Sequence, residues 1–250
     1  MEKSINMKQD LKQINIWNIK YNLLNIEEIV NIVDQWLSEG RRGIHLTGAN
    51  VDTIVWAQED ELLRKAILDS DIVNVDSFMP TFFLKRKGYP IQHRVPSPDV
   101  FESFLKLADR KGMKIFFLGA KDETLEKLKM IIHSEYPHIN IVGSRNGYFK
   151  ESEQDNIAMQ ISEKAPDFLF IGMPSPMKEK FILKYKKSIN VGCFYGIGGA
   201  FDAKAGVLPR PPRWLRGFGL EFFFRAIRNP KVYGKRSPNY FKFIKMALKK

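Results

Sequence analysis

Residues 98–142 read PDVFESFLKLADRKGMKIFFLGAKDETLEKLKMIIHSEYPHINIV, and their pattern decides the fold. A helical pattern runs from Pro98 to Lys111, a compact apolar strand from Lys114 to Leu118, a second helix from near Glu123 to Ser134, and a second strand from Ile139 to Val142. The alternation extends both ways. Upstream, Asn25 to Leu37 repeats apolar residues as an amphipathic helix does and stops at Gly40 to Gly43. The strand Ile44 to Leu46, a helix from Ala57 to Leu68 and the strand Ile72 to Val75 follow. Downstream come a helix from Ser152 to Lys164, the strand Phe168 to Ile171, a helix from Lys178 to Lys187 and the strand Val191 to Gly196. Regular β/α alternation predicts an α/β fold, a mainly parallel Rossmann-like sheet flanked by helices, with ligands at the carboxyl ends of its strands.

From Gly206 the Pro-rich run Leu208 to Pro212 breaks this rhythm, which divides the chain into a core over residues 1–203 and a basic, aromatic, helical C-terminal appendage over 204–250. The appendage holds thirteen of the 40 Lys and Arg residues and one acid, Glu221, an excess equal to the whole formal net charge of +12. Its cations are interleaved with Trp214, Phe218, Phe222, Phe223, Phe224, Tyr233, Tyr240, Phe241 and Phe243. Nucleic acid and an anionic bilayer both present negative groups beside apolar matter. Phe241, Ile244 and Leu248 fall on one side of a helix and Lys242, Lys245 and Lys249 on another, the pattern of a helix lying in the headgroup plane. The plainer alternative is that the aromatics pack on the core while the lysines face water.

A chain of 250 residues with 44% hydrophobic content can bury a sizeable core. The single cysteine, Cys193, excludes an intramolecular disulfide and any multi-cysteine metal cluster, and agrees with a reducing cytoplasm. The N-terminus shows no secretory h-region, and no run approaches the roughly 18 apolar residues of a spanning helix. Contact with a membrane is therefore expected to be peripheral.

Polar residues just after strands are the candidates for chemistry. Asp76 follows the strand Ile72 to Val75, where a partly desolvated carboxylate suits a general base and an N-cap is the structural alternative. In the preceding turn, Thr47-Gly48-Ala49-Asn50, the Asn50 amide can orient a sugar hydroxyl or a phosphate, while Asp52 reads as the cap of the next helix. Gly119 ends the strand Lys114 to Leu118 before a helix whose free N–H groups can hold a phosphate. Gly196-Ile197-Gly198-Gly199-Ala200-Phe201-Asp202 is a second strand-end glycine loop, read either as a diphosphate cradle or as a plain turn. Arg210, Arg213, Arg216, Arg225 and Arg228 can grip phosphate bidentately. Asp69-Ser70-Asp71 imitates a metal-holding Asp-x-Asp element but lies before a strand, at the wrong end of the sheet. His45, His93, His133 and His138 lack metal-ligand spacing, so neither a metal nor another cofactor is expected.

Taken in order, these segments resemble the WecG/TagA/CpsF family of bacterial glycosyltransferases, glycosyltransferase family 26, across most of the chain. The likeness rests on Asn50, Asp76, Arg94-Val95 with Asp99, Gly143, Gly147-Tyr148-Phe149, and Gly172 with Pro176 and Glu179. It continues through Gly198-Gly199-Ala200-Phe201-Asp202, Ala205-Gly206, Arg210, Pro212, Arg213, Trp214, Gly219-Leu220-Glu221, Arg225, Pro230 and Arg236. The resemblance implies metal-independent, inverting transfer of an N-acetylmannosamine-like sugar from a UDP-sugar to a polyprenyl-diphosphate-linked saccharide, in teichoic acid or surface-polysaccharide synthesis. It implies Asp76 as base and Asn50 as a positioning residue; the expected substrate contacts, from strand-end position and from this likeness together, are Thr47, Arg94, Asp99, Gly119, Lys178, Glu179, Gly198, Gly199, Asp202, Arg210, Arg213 and Arg225. The appendage is then expected to meet the cytoplasmic face of the membrane and place arginines over the site, with no nucleic-acid partner and self-association left open. Three positions depart from the family's usual pattern. Lys178 stands for Gln, a change expected to add a phosphate or carboxylate contact; Ser77 stands for Gly; and Pro96-Ser97-Pro98 stiffens the loop before Asp99. A donor of UDP-glucose, UDP-galactose or a UDP-uronic acid on the same fold, and a non-catalytic nucleic-acid-binding protein, are the alternatives.

Overall fold

The computed structural model describes residues 11–91, 94–208 and 234–249, together with Phe224, Ile227 and Pro230. An antiparallel hairpin, β1 (Gln13–Ile16) and β2 (Ile19–Asn22), precedes a six-stranded sheet of β3 (Ile44–Ala49), β4 (Ile72–Val75), β5 (Lys114–Gly119), β6 (Asn140–Arg145), β7 (Phe168–Gly172) and β8 (Cys193–Gly196). The sheet order is β4-β3-β8-β7-β5-β6, and every pairing in it is parallel. The expected parallel α/β architecture is the one observed.

Both faces of this sheet are covered, which explains why its strands read as apolar runs without polar alternation. Ile44, Leu46, Ile115, Phe117, Phe168, Phe170 and Tyr195 turn to one face, against α1 (Ile26–Ser38), α5 (Ser97–Lys111) and α6 (Asp122–Glu135). Val73 and Val75 turn to the other, against α2 (Val51–Glu59) and α3 (Glu61–Leu68). Phe116, Leu118, Leu169, Ile171 and Phe194 meet α7 (Gln154–Lys164) and α8 (Met177–Tyr185) on that same face. The chain switches faces after β4, and sheets of this kind place their ligand sites along the carboxyl edge.

Three elements escape the sequence pattern: the hairpin, α4 (Phe78–Arg86) and the short α9 (Ala200–Lys204). The helix read from Ala57 to Leu68 is two helices parted at Asp60, which closes α2 and caps α3 by accepting the Leu63 N–H at 3.0 Å. The C-terminal helix α10 (Ser237–Leu248) returns to the core. Asn239, Phe243 and Ala247, spaced four residues apart, form its buried line, and the Phe243 ring meets Trp17 at 4.9 Å and Phe83 at 5.9 Å. Phe241 and Leu248 of the expected membrane stripe are 74% and 66% exposed, whereas Ile244 is partly buried against the core. Core packing and an outward apolar stripe thus occupy two faces of one helix. Among the described residues no helix is long and apolar enough to cross a membrane.

Candidate active site

Asn50 and Asp76 stand at the carboxyl ends of the neighbouring strands β3 and β4, tied together by the Asp76 N–H donating to the Ala49 carbonyl at 3.1 Å. Asn50 caps α2: its Oδ1 accepts from the Thr53 N–H at 3.1 Å and the Thr53 hydroxyl at 3.2 Å. This corrects the expected cap, since Asp52 lies in the first turn instead. Among the described residues, both hydrogen bonds of the Asn50 side chain run through Oδ1, so its Nδ2 is the half able to meet a ligand.

Asp76 does not cap the helix that follows it; Ser77 holds that position. The Asp76 Oδ1 instead accepts the backbone N–H of Ser97 at 2.6 Å. Ser97 is the first residue of α5, whose opening N–H groups have no intrahelical acceptor and whose dipole favours an anion. The loop that delivers Ser97 is clamped to β4: the Val95 N–H donates to the Val75 carbonyl at 2.8 Å, and the Asn74 amide donates to the Val95 carbonyl at 2.6 Å. The clamp also brings Arg94 to the end of β4 and fixes Asp99 in the first turn of α5. Gly48 makes room for it, because a Cβ there would lie 2.2 Å from the Ser97 hydroxyl. Ser97 and Asn74 hold Asp76 and its loop in place, contacts the sequence reading did not anticipate. The available signal was the Pro96-Ser97-Pro98 helix start, which leaves the Ser97 N–H without a backbone acceptor.

A second part of the edge is built from glycines. Gly119 pairs with Gly172 and carries a φ of +125°; a Cβ on it would lie 2.5 Å from the Gly172 backbone. The Gly147 N–H donates to the Ala120 carbonyl at 3.0 Å, joining the ends of β5, β6 and β7. Gly198, at φ +55°, and Gly199 lead into α9, and Asp202 there accepts the Thr124 hydroxyl of α6 at 3.3 Å. Helices α4, α6 and α8 begin at this edge with no side-chain cap among the described residues, which leaves first-turn N–H groups suited to a ligand.

Lys178, expected to add an anion contact, is buried with its stem across Gly196. Its ammonium donates to the Ser175 hydroxyl and to Glu179 Oε1, and Ser175 in turn donates to that oxygen at 2.7 Å. The pair is internally neutral. Glu179 Oε2 is buried without a partner among the described residues, so this pair presents an acceptor and not a free cation.

Thr47 does not join the site. It is buried, with its hydroxyl bonded to His45 Nε2 at 3.1 Å and to Ser70 at 2.8 Å. Burial lowers the His45 pKa to about 3, which keeps the imidazole neutral. Asp69 and Asp71 lie at the opposite end of the sheet, where Lys186 meets Asp69 at 2.8 Å and Arg41 pairs with Asp71. Asp52 faces α10 instead: it accepts from the Asn239 amide at 2.7 Å and meets Arg236 at 3.7 Å, and burial raises its pKa above the usual carboxylate value. Arg210, Arg213 and Arg225 lie outside the described residues.

A profile of the WecG/TagA/CpsF glycosyl transferase family matches residues 14–250. A Bacillus subtilis (strain 168) protein named N-acetylglucosaminyldiphosphoundecaprenol N-acetyl-beta-D-mannosaminyltransferase is 29% identical over 86% of this chain and 83% of its own length. Its namesake in Bacillus spizizenii is 30% identical over 83% and 80%, and one in Staphylococcus aureus (strain MW2) is 22% identical over 93% and 91%.

Proposed function

The chain belongs to the WecG/TagA/CpsF family of glycosyl transferases, and from that premise we propose that it moves an N-acetylmannosamine-like sugar from a UDP donor to N-acetylglucosamine on a polyprenyl diphosphate. The names of the relatives support this substrate pair. The observation that carries the chemistry is the carboxylate of Asp76 held by the Ser97 N–H beside Asn50, at the edge of adjacent strands.

The reaction is a single displacement. The acceptor hydroxyl attacks the anomeric carbon, its proton passes to Asp76, the new glycosidic bond forms on the face opposite the departing oxygen, and UDP leaves with the bonding pair. Asn50 Nδ2 orients a substrate oxygen. First-turn amides of α6 and α8, the glycine edge around Gly119 and Gly198, and arginines of the C-terminal segment stabilise the charge on UDP. The acceptor is a lipid, so the enzyme works against the cytoplasmic face of the membrane.

The test is UDP release from a panel of UDP-sugars, with a short-chain polyprenyl-diphosphate-linked N-acetylglucosamine as acceptor and EDTA present. Acceptor-dependent release with UDP-N-acetylmannosamine above the other donors is expected. Release with UDP-glucose, UDP-galactose or a UDP-uronic acid alone would overturn the donor, and silence with every donor and acceptor would overturn the substrate pair.

A further inference from the structure

Helix α4 begins immediately after Asp76 and Ser77, and its outward face is aromatic and basic. Phe78 and Phe82, one turn apart, stack at 6.2 Å and are 36% and 48% exposed. Lys85, Arg86 and Lys87 continue that exposed surface, and α4 contains no acidic residue. Its inward side, with Phe83 and Leu84, is buried.

The helix also adjoins α10. The Phe83 ring meets Phe243 at 5.9 Å, and the Lys87 ammonium donates to the Lys249 carbonyl at 3.0 Å. The outward side of α10 presents Phe241, Lys245 and Leu248 along one line, with Lys242 and Lys249 beside it. Lys242 reaches Glu59 at 2.7 Å, an exposed pair worth little in water. Two neighbouring helices from distant parts of the chain therefore carry the same signature: large exposed apolar side chains bordered by cations.

We propose that α4 and α10 together form the surface by which the protein sits on an anionic bilayer, with Phe78 and Phe82 entering the headgroup layer beside the catalytic edge. This rests on the lipid-linked acceptor proposed above and extends it, because membrane contact then involves the core and not the C-terminal segment alone. Charge decides the occupant. A second copy docked by the same patch would set these lysines and arginines against one another, whereas acidic headgroups complement them and the acyl boundary accepts the rings. The connection from β4 through Asp76 into α4 then holds the base at the depth where a lipid-linked sugar emerges.

Position 82 allows a direct reading, since Cys193 is fully buried and a thiol placed at the surface can be labelled selectively. Full-length Phe82→Cys carrying a nitrobenzoxadiazole label is mixed with vesicles of phosphatidylglycerol and phosphatidylcholine, or of phosphatidylcholine alone. A blue shift and quenching by doxyl-labelled lipid are expected with the anionic vesicles only. The double variant Phe78→Ser, Phe82→Ser is expected to keep its circular dichroism and to lose roughly tenfold or more in partitioning. A label that stays in water while the protein binds vesicles, or a double variant that partitions like the parent, would overturn the surface. So would a blue shift that grows with protein concentration without lipid, which would assign the face to a second copy. Insertion of position 82 by a protein that transfers no sugar would uphold the surface and sink the enzymatic reading instead.

Discussion

The two ends of the parallel sheet use polar residues in opposite ways. At the amino end, charges close on one another: Asp69 on Lys186, Asp71 on Arg41 and the His45 N–H, and Asp167 on Arg42 and the Lys114 N–H. At the carboxyl end, Asp76 is held by a backbone amide, and Asn74 Oδ1, Ser77 Oγ and Glu179 Oε2 are buried without partners among the described residues. A self-satisfied end contributes stability and an unsatisfied end is fitted for ligands, so a carboxylate's role follows from which end it occupies.

The sharpest way to break this contrast is to remove one carboxylate at each end. Asp76→Asn is expected to lower turnover about a thousandfold, within the range for a lost general base, while the urea midpoint stays near that of the parent. Asp71→Asn is expected to do the reverse, costing about 1–3 kcal/mol of stability with turnover nearly unchanged. A large activity loss at Asp71, or none at Asp76, would abolish the distinction.

Gly48→Ala probes the clamp without removing a charge. Its methyl group would meet the Ser97 hydroxyl at 2.2 Å and lie 3.4 Å from Asp76 Cβ, so the Ser97 side chain must move and the Asp76–Ser97 pair is crowded. Turnover is expected to fall roughly tenfold to a hundredfold, as a misplacement near 1 Å does. Steady-state kinetics with turnover unchanged would remove the Ser97 contact from the mechanism.

Acid titration tests the amino end. His45 is neutral in the fold with its pKa depressed from 6.5 to about 3, so the unfolded chain takes up the proton first. The stability this supports is present above pH 6.5 and is lost as the pH falls towards 3. Melting curves of His45→Gln are expected to fall less steeply than the parent's across that window; parallel curves would mean His45 is protonated when folded.

The smallest effect is expected at Asp52, where the folded state raises the pKa and so favours the protonated form. Its stabilising contribution is present at low pH and declines as the pH rises through the shifted value. Asp52→Asn keeps the Asn239 contact and is expected to stay within about 1 kcal/mol of the parent at neutral pH, gaining on it as the pH rises. A marked loss would instead make the Arg236 pair dominant.

How much of this was legible follows from the range of the interactions. The six strands of the parallel sheet were readable because each is a short apolar run between helices, and Asn50 and Asp76 because they follow those runs directly. The hairpin was not: its strands are four residues long, and its turn uses Trp17 and Asn18 at φ 53° and 56° in place of the usual glycine signal. Helix α4 was hidden because phenylalanines lie on both its buried and exposed sides, which blurs the period of 3.6. The orientation of Asp76 depends on Ser97, 21 residues away, and no local pattern announces such a partner. Lys178 was legible as a departure, but its neutralisation by its own neighbour was not.

The contact between Asp52 and Asn239 spans 187 positions of the chain. During synthesis the core can form while Asp52 remains in water, and only when α10 leaves the ribosome is that carboxylate covered. Helix α10 is thus a late fastening, and the outward side of the same helix belongs to the proposed membrane surface. A nascent chain lacks that part of the surface until α10 has been made, so the proposed seating on a bilayer waits for this helix.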